Sequence, residues 1–307
     1  MKKDFYFPSS DQVTRIHAIE WIPETEMKAV LQISHGMVEY IDRYDRFARF
    51  LNKYGIYVVG NDHLGHGESV VNEDKLGFFK HPGGNQCIIK DLNRLRTITE
   101  KKYPGIPYFM LGHSMGSFMI RQYMMVFGKG LSGVIVMGTG KQPALVLSFG
   151  KVLCKMMAKS KGWEYRSKFV DDIAFSSNNK RFEPARTSKD WLTKDQKIVD
   201  AYIADPWCSY RFTLNGFYEM FSAIQFIQKP SNIEKIPKNL PVFLVSGAED
   251  PVGNFGKNVK EVFQSYENAH ISDITMKLYD DDRHEILNET DYEKVYEDLK
   301  GWIENRI

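Results

Sequence analysis

A chain of 307 residues has room for one large α/β domain with an insertion, or for two ordinary domains. Its balance, 43% apolar and 26% charged, is that of a packed globular protein and excludes the disordered and fibrous classes. Forty-one basic residues against thirty-nine acidic ones leave a net charge of +2, too little to supply the phosphate-neutralising field that a nucleic-acid partner demands.

In chain order, the start MKKDFYFPSSDQVTRIH sets two lysines ahead of polar residues, where a secretory leader needs a continuous apolar stretch. The segment Arg15 to Ile22, stopped by Pro23, reads as an antiparallel edge strand. Short apolar runs follow at Ala29–Ile33, Gly55–Val59, Tyr108–Leu111, Gly133–Met137 and Val242–Val245, rich in β-branched or aromatic residues and bounded by turn formers, as strands buried on both faces are. Helical patterns separate them at Arg43–Tyr54, Asn85–Tyr103 and Met115–Phe127. This alternation predicts a mostly parallel sheet flanked by helices.

The alternation breaks between about 141 and 233. There Leu145, Val146, Phe149, Val152, Leu153, Met156 and Met157 recur at helical spacing, and a second helix start is expected at Ser188-Lys189-Asp190-Trp191. The expected division is therefore a core of residues 1–140 and 234–307 with a helical cap inserted over 141–233. Met-rich helices of this kind suit the wall of an apolar substrate site, although packing alone also accounts for them.

The chemistry centres on Gly112-His113-Ser114-Met115-Gly116, between a strand-like run and an amphipathic helix. That strand–turn–helix setting is what a nucleophile elbow requires, because the glycines permit a tight turn that projects the serine above the sheet. A serine hydroxyl needs a base within hydrogen-bond reach. Of eight histidines, His284 is selected because it follows the strand-like Ile274–Tyr279 and an acidic turn near the C-terminus. The acid that orients it should close an intervening strand, which points to Asp250 ahead of Glu249. Oxyanion donors are expected from the backbone N–H groups of Met115, just after the nucleophile, and of Met37, in Ile33-Ser34-His35-Gly36-Met37.

Asp62-His63-Leu64-Gly65-His66-Gly67 gathers metal-ligand types, but no further ligand cluster accompanies it, so neither a metal nor a cofactor is expected. His17, His81, His113 and His270 show no partner. Cys87, Cys154 and Cys208 are scattered and odd in number, which reads as free thiols in a reducing compartment. With no run near the ~18 apolar residues of a membrane span, a cytoplasmic location is expected.

These motifs together resemble the monoacylglycerol lipase and lysophospholipase group of α/β-hydrolases, which overlaps with serine aminopeptidase-like hydrolases. The resemblance runs from about Glu20 to the C-terminus and rests on His35-Gly36-Met37-Val38-Glu39-Tyr40 with Arg43-Tyr44, on the Asp62–Gly67 stretch, on Gly112–Ser117, on Gly247-Ala248-Glu249-Asp250-Pro251-Val252 and on Arg283-His284-Glu285-Ile286-Leu287-Asn288-Glu289. It implies a Ser114–Asp250–His284 triad, oxyanion donors at Met37 and Met115, and a helical cap in which Asp190–Asp195 and Ala204-Asp205-Pro206 through Phe212-Thr213 look like the bacterial lysophospholipase-like branch. The expected reaction is hydrolysis of a small acyl ester, of monoacylglycerol or lysophospholipid type, with the cap as the candidate for transient contact with a membrane or micelle. A short-chain or aryl carboxylesterase, a serine aminopeptidase and a catalytically silent binding homologue are the alternatives.

Overall fold

The computed structural model describes residues 1–307. Eight strands form one sheet, β1 (Lys2–Pro8), β2 (Arg15–Trp21), β3 (Ala29–Ser34), β4 (Ile56–Asn61), β5 (Tyr108–His113), β6 (Gly133–Met137), β7 (Val242–Gly247) and β8 (Ile274–Tyr279), in the spatial order β1-β2-β4-β3-β5-β6-β7-β8. β1 and β2 join antiparallel to one another and β2 antiparallel to β4, and every other pairing is parallel. The segment expected to form the edge, β2, is thus one strand inside it. Phe5 and Phe7 alternate through the lysine-rich start and dock it as an outer strand, with Phe7 buried.

Helices α1 (Asp45–Asn52), α2 (Gly84–Lys102), α3 (Met115–Phe127), α9 (Lys257–Asn268) and α10 (Tyr292–Glu304) cover the sheet. The two-residue period of the strands divides the core between its faces. Leu31, Ile33, Phe109, Leu111 and Ile135 pack with α1 and α10, whereas Val30, Met110, Val134 and Val136 pack with α2, α3 and α9. The second face is the thicker, 47 buried apolar residues against 26, because helices inserted between β6 and β7 extend it. These are α4 (Ala144–Lys161), α5 (Lys168–Phe175), α6 (Gln196–Ala204), α7 (Leu214–Ile227) and α8 (Pro230–Ile233).

Two features of the insertion differ from expectation. Leu147, Cys154 and Ala158 form the inward side of α4, but Leu145, Val146, Phe149, Val152 and Met156 face outward, with Leu145 85% and Met156 65% exposed. No helix starts at Ser188. The Asp190 carboxylate closes a turn on the backbone N–H groups of Arg186 and Thr187, and α6 begins later, where the Asp195 side chain accepts from the N–H of Lys197.

The chain reverses direction across the sheet at β3, flanked by β4 on one side and β5 on the other. In such sheets the crevice beyond the carboxyl ends of the strands at this switch point is where ligands bind. The loops that leave β3 and β5 carry Met37 and Ser114.

Candidate active site

Ser114 stands between β5 and α3 with φ 53° and ψ −120°, a conformation that a serine adopts at a cost of about 1–3 kcal/mol. The surroundings impose it. The Ser114 N–H donates to the carbonyl of Met137 at 3.0 Å, its own carbonyl accepts from Ser117 Oγ at 2.6 Å, and α3 starts so close to β3 that a Cβ on Gly116 would lie 2.0 Å from the carbonyl oxygen of Ser34. Gly36 approaches from the other loop, and a Cβ there would sit 3.2 Å from the Cβ of Ser114. Met37 and Met115 therefore flank Ser114 on the two loops. Neither backbone N–H is used by another group of the protein.

At the end of β7, Asp250 is wholly buried. Its Oδ2 accepts from His284 Nδ1 at 2.9 Å and from Ser246 Oγ at 3.1 Å, and its Oδ1 accepts from the N–H of Val252 at 2.8 Å. With the Nδ1 proton committed to a carboxylate, the lone pair of His284 stands on Nε2, the state a general base needs. A Cβ on Gly138, at the end of β6, would lie 3.2 Å from Cε1 of His284, so the imidazole and Ser114, tied to Met137, gather around the same strand end. Glu249 turns away, to Arg181 at 3.3 Å.

A second set of buried charges braces these loops. Glu39 accepts from the N–H of Gly36, from Tyr44 Oη at 2.9 Å and from Arg43 at 2.6 Å, and Arg43 forks onto Glu285 at 3.0 and 2.8 Å. His113, the residue before Ser114, has Nδ1 3.3 Å from Glu39 Oε1 and Nε2 3.2 Å from the carbonyl oxygen of His284. Both partners are acceptors only, so both nitrogens of His113 carry protons. The cluster is then neutral overall, two carboxylates against a guanidinium and an imidazolium. Burial alone would discharge each member, but the ion pairs outweigh it: Glu39 is held well below the usual carboxylate range by His113 and Arg43, Glu285 is lowered by Arg43, and His113 is raised by Glu39.

The Asp62–Gly67 stretch is distributed among other partners. Asp62 holds Nδ1 of His17 at 2.8 Å and the N–H groups of Ile41 and Glu68, while His63 meets Ser34 Oγ at 3.0 Å and the rings of His35 and His66 gather with it. Burial lowers His63 to about 4 and His66 to about 3, keeping both neutral.

Sequence reasoning left two site neighbours unassigned. Trp191 lies with its ring centroid 5.0 Å from that of His284, and His113 at 4.7 Å. The only signal for either was position within a motif, since their partners are 93 and 171 residues away in sequence.

Comparison with known proteins identifies the family and the fold. A family model described as serine aminopeptidase, S33, matches residues 25–291. The chain is 26% identical to a monoglyceride lipase homolog of Monkeypox virus over 95% of each chain, and 23% identical to monoglyceride lipase of Rattus norvegicus over 94% of this chain and 86% of that one. The solved structure of a thermostable carboxyl esterase from Bacillus coagulans, crystallised with glycerol, superposes with a TM-score of 0.93 at 27% identity, covering 99% of this chain and 98% of that one. The protein belongs to the serine aminopeptidase S33 family of hydrolases and has the α/β-hydrolase fold.

Proposed function

We propose that the protein cleaves carboxylic esters through an acyl-enzyme at Ser114, with a monoacylglycerol or lysophospholipid as its substrate. The observation that carries this reading is the 2.9 Å pairing of Asp250 with His284 beside a serine held at positive φ. His284 Nε2 takes the proton as Ser114 Oγ attacks the ester carbonyl, and the N–H groups of Met37 and Met115 donate hydrogen bonds to the negative oxygen. The tetrahedral intermediate collapses, His284 returns its proton to the departing alkoxide, and the alcohol leaves. Water, deprotonated by the same imidazole, then attacks the acyl-enzyme; a second collapse frees the acid and restores Ser114. The triad and oxyanion donors supply nucleophile, base and charge stabilisation, so no cofactor enters.

The choice of lipid ester is supported by relatives named monoglyceride lipase and monoacylglycerol lipase and by the outward face of α4, where Leu145, Phe149, Val152 and Met156 stand among Lys151, Lys155 and Lys159. In this reading residues 141–233 are a cap, and that face meets the lipid surface carrying the substrate. Three buried free thiols support a cytoplasmic setting.

The test is turnover by wild type and Ser114→Ala on acyl esters of rising chain length, monoacylglycerols, lysophosphatidylcholine and aminoacyl amides, with fluorophosphonate labelling in parallel. Ser114-dependent turnover that peaks on long acyl chains is expected. A peak on short esters or on aminoacyl amides transfers the protein to the carboxylesterase or aminopeptidase reading. Absence of both labelling and turnover leaves a silent binding homologue.

A further inference from the structure

We propose that Trp191, carried by the inserted helical segment, is a positioning residue for the general base: its indole holds the His284 ring and favours the imidazolium formed when the proton leaves Ser114. This rests on the triad reading above and adds a residue from outside the core to it.

Two rings neighbour the His284 imidazole. One is His113, at 4.7 Å with planes inclined by 43°, and it carries protons on both nitrogens because each faces an acceptor. A cation there opposes a second positive charge on His284. The other is Trp191, at 5.0 Å with planes inclined by 41°, and an indole attracts a cation within about 6 Å of its ring centroid. Asp250, joined to Nδ1, supplies the remaining compensation.

Trp191 is 93% buried, in a small cluster with Leu192, Tyr202 and Cys208, and its chain neighbours are fixed to the loop that carries His284. The Trp191 N–H donates to Asn179 Oδ1 at 2.9 Å. The Leu192 carbonyl accepts from the N–H of Glu285 at 2.7 Å, Thr193 Oγ1 donates to Glu289 at 3.0 Å, and Lys194 Nζ donates to Asp282 at 2.8 Å. Residues 190–194 and 282–289 thus form one hydrogen-bonded unit spanning insertion and core. A displacement of the insertion would be felt at the base.

The charged groups around His284 are Asp250 from the loop after β7, His113 from β5 with Glu39, Arg43 and Glu285 behind it, and the Lys194–Asp282 pair that joins the insertion to the loop after β8. Trp191→Leu and Trp191→Phe leave all of these in place. The experiment measures kcat, KM and the pH profile of kcat/KM on a soluble short-chain ester for wild type and both variants, with melting temperature and fluorophosphonate labelling as controls on folding. For Trp191→Leu, kcat is expected to fall by about three- to thirty-fold with KM within about two-fold, and the acid limb of the profile to move to lower pH; Trp191→Phe should lie between. Unchanged kcat, a loss confined to KM, or equal loss in both variants without movement of the acid limb would reduce Trp191 to a wall of the site. Should the leucine variant fail to fold, the phenylalanine variant against wild type decides. Wild-type turnover that survives Ser114→Ala overturns the triad reading instead, whereas Ser114-dependent turnover indifferent to residue 191 overturns only this inference.

Discussion

Arg43 and Glu285, 242 residues apart, form a two-pronged ion pair that ties the turn beyond Met37 to the residue after His284. Because Arg43 also holds Glu39, its removal takes the guanidinium from two buried carboxylates. Losing one partner of a buried pair typically costs about 3–5 kcal/mol. Arg43→Leu should therefore lower stability by about that amount, measured as urea unfolding. Arg43→Lys should recover only part of it, since an ammonium cannot fork onto Glu285. Equal stability of Arg43→Leu and wild type would show that the network is not holding the loops.

Asp250, paired with His284, and Glu249, paired with Arg181, should separate cleanly in function. Asp250→Asn keeps the volume and the hydrogen bond from Val252 but favours the wrong imidazole tautomer, so kcat should drop by about 10⁴-fold with little change in melting temperature. Glu249 is partly exposed and pairs with Arg181 at 3.3 Å, an arrangement worth at most about 1 kcal/mol, and Glu249→Gln should retain near wild-type turnover. Assays of the two variants side by side check this, and the reverse order would reassign the acid.

The pair His17–Asp62 predicts a pH dependence of stability distinct from that of activity. Burial disfavours the charged imidazole, but the Asp62 carboxylate at 2.8 Å outweighs it and pushes His17 up to about 9. A folded value above the unfolded one of about 6.5 means that this stabilisation is complete below pH ~6.5 and is lost as pH rises through about 9. The whole effect is on the order of 3 kcal/mol. Chemical unfolding from pH 6 to 10 should show this decline, and His17→Gln should flatten it.

Two glycines give opposite expectations. A Cβ at Gly116 meets backbone at 2.0 Å with no flexible neighbour to yield, so Gly116→Ala should abolish labelling of Ser114 or prevent folding. Gly301 lies inside α10 with nothing within 4 Å of the added carbon, and Gly301→Ala should raise stability by about 1 kcal/mol with activity intact. Thermal melts with a labelling assay distinguish the pair.

The outer face of α4 should matter only where substrate is aggregated. Phe149→Ser combined with Met156→Ser removes two exposed apolar side chains, 60% and 65% accessible, without opening the core. Turnover of vesicle-borne monoacylglycerol should fall severalfold while a soluble short ester is cleaved as before. Equal effects on both substrates would argue that these residues act inside the site.

The parallel strands were legible because burial on both faces leaves continuous apolar runs, and β6 and α3 have the bounds read from sequence, Gly133–Met137 and Met115–Phe127. β1 was not legible: Lys2, Lys3 and Asp4 mask an alternation that only pairing with β2 makes meaningful. The helix start expected at Ser188 followed a local capping pattern, and longer-range bonds overrode it, the Leu192 carbonyl going to Glu285 and the Asp190 carbonyl to Arg283. In the site, the elbow around Ser114 is a local motif and so visible in sequence. The proton inventory of His113 depends on Glu39, 74 residues away, and on a carbonyl 171 residues away, which spacing cannot reveal.

β1 also has a bearing on how the protein behaves in company. As the outermost strand it carries Lys2, Lys3 and Asp4 and ends on Pro8, features that discourage another chain from adding to the sheet. β2 behind it is buried along nearly its whole length, from Ile16 to Trp21. A chain trimmed of its first nine residues would present the outer edge of that strand, with its N–H and carbonyl groups unpaired, to its neighbours. Its failure would then be self-association edge to edge, rising with concentration, in a molecule whose catalytic loops are all still present.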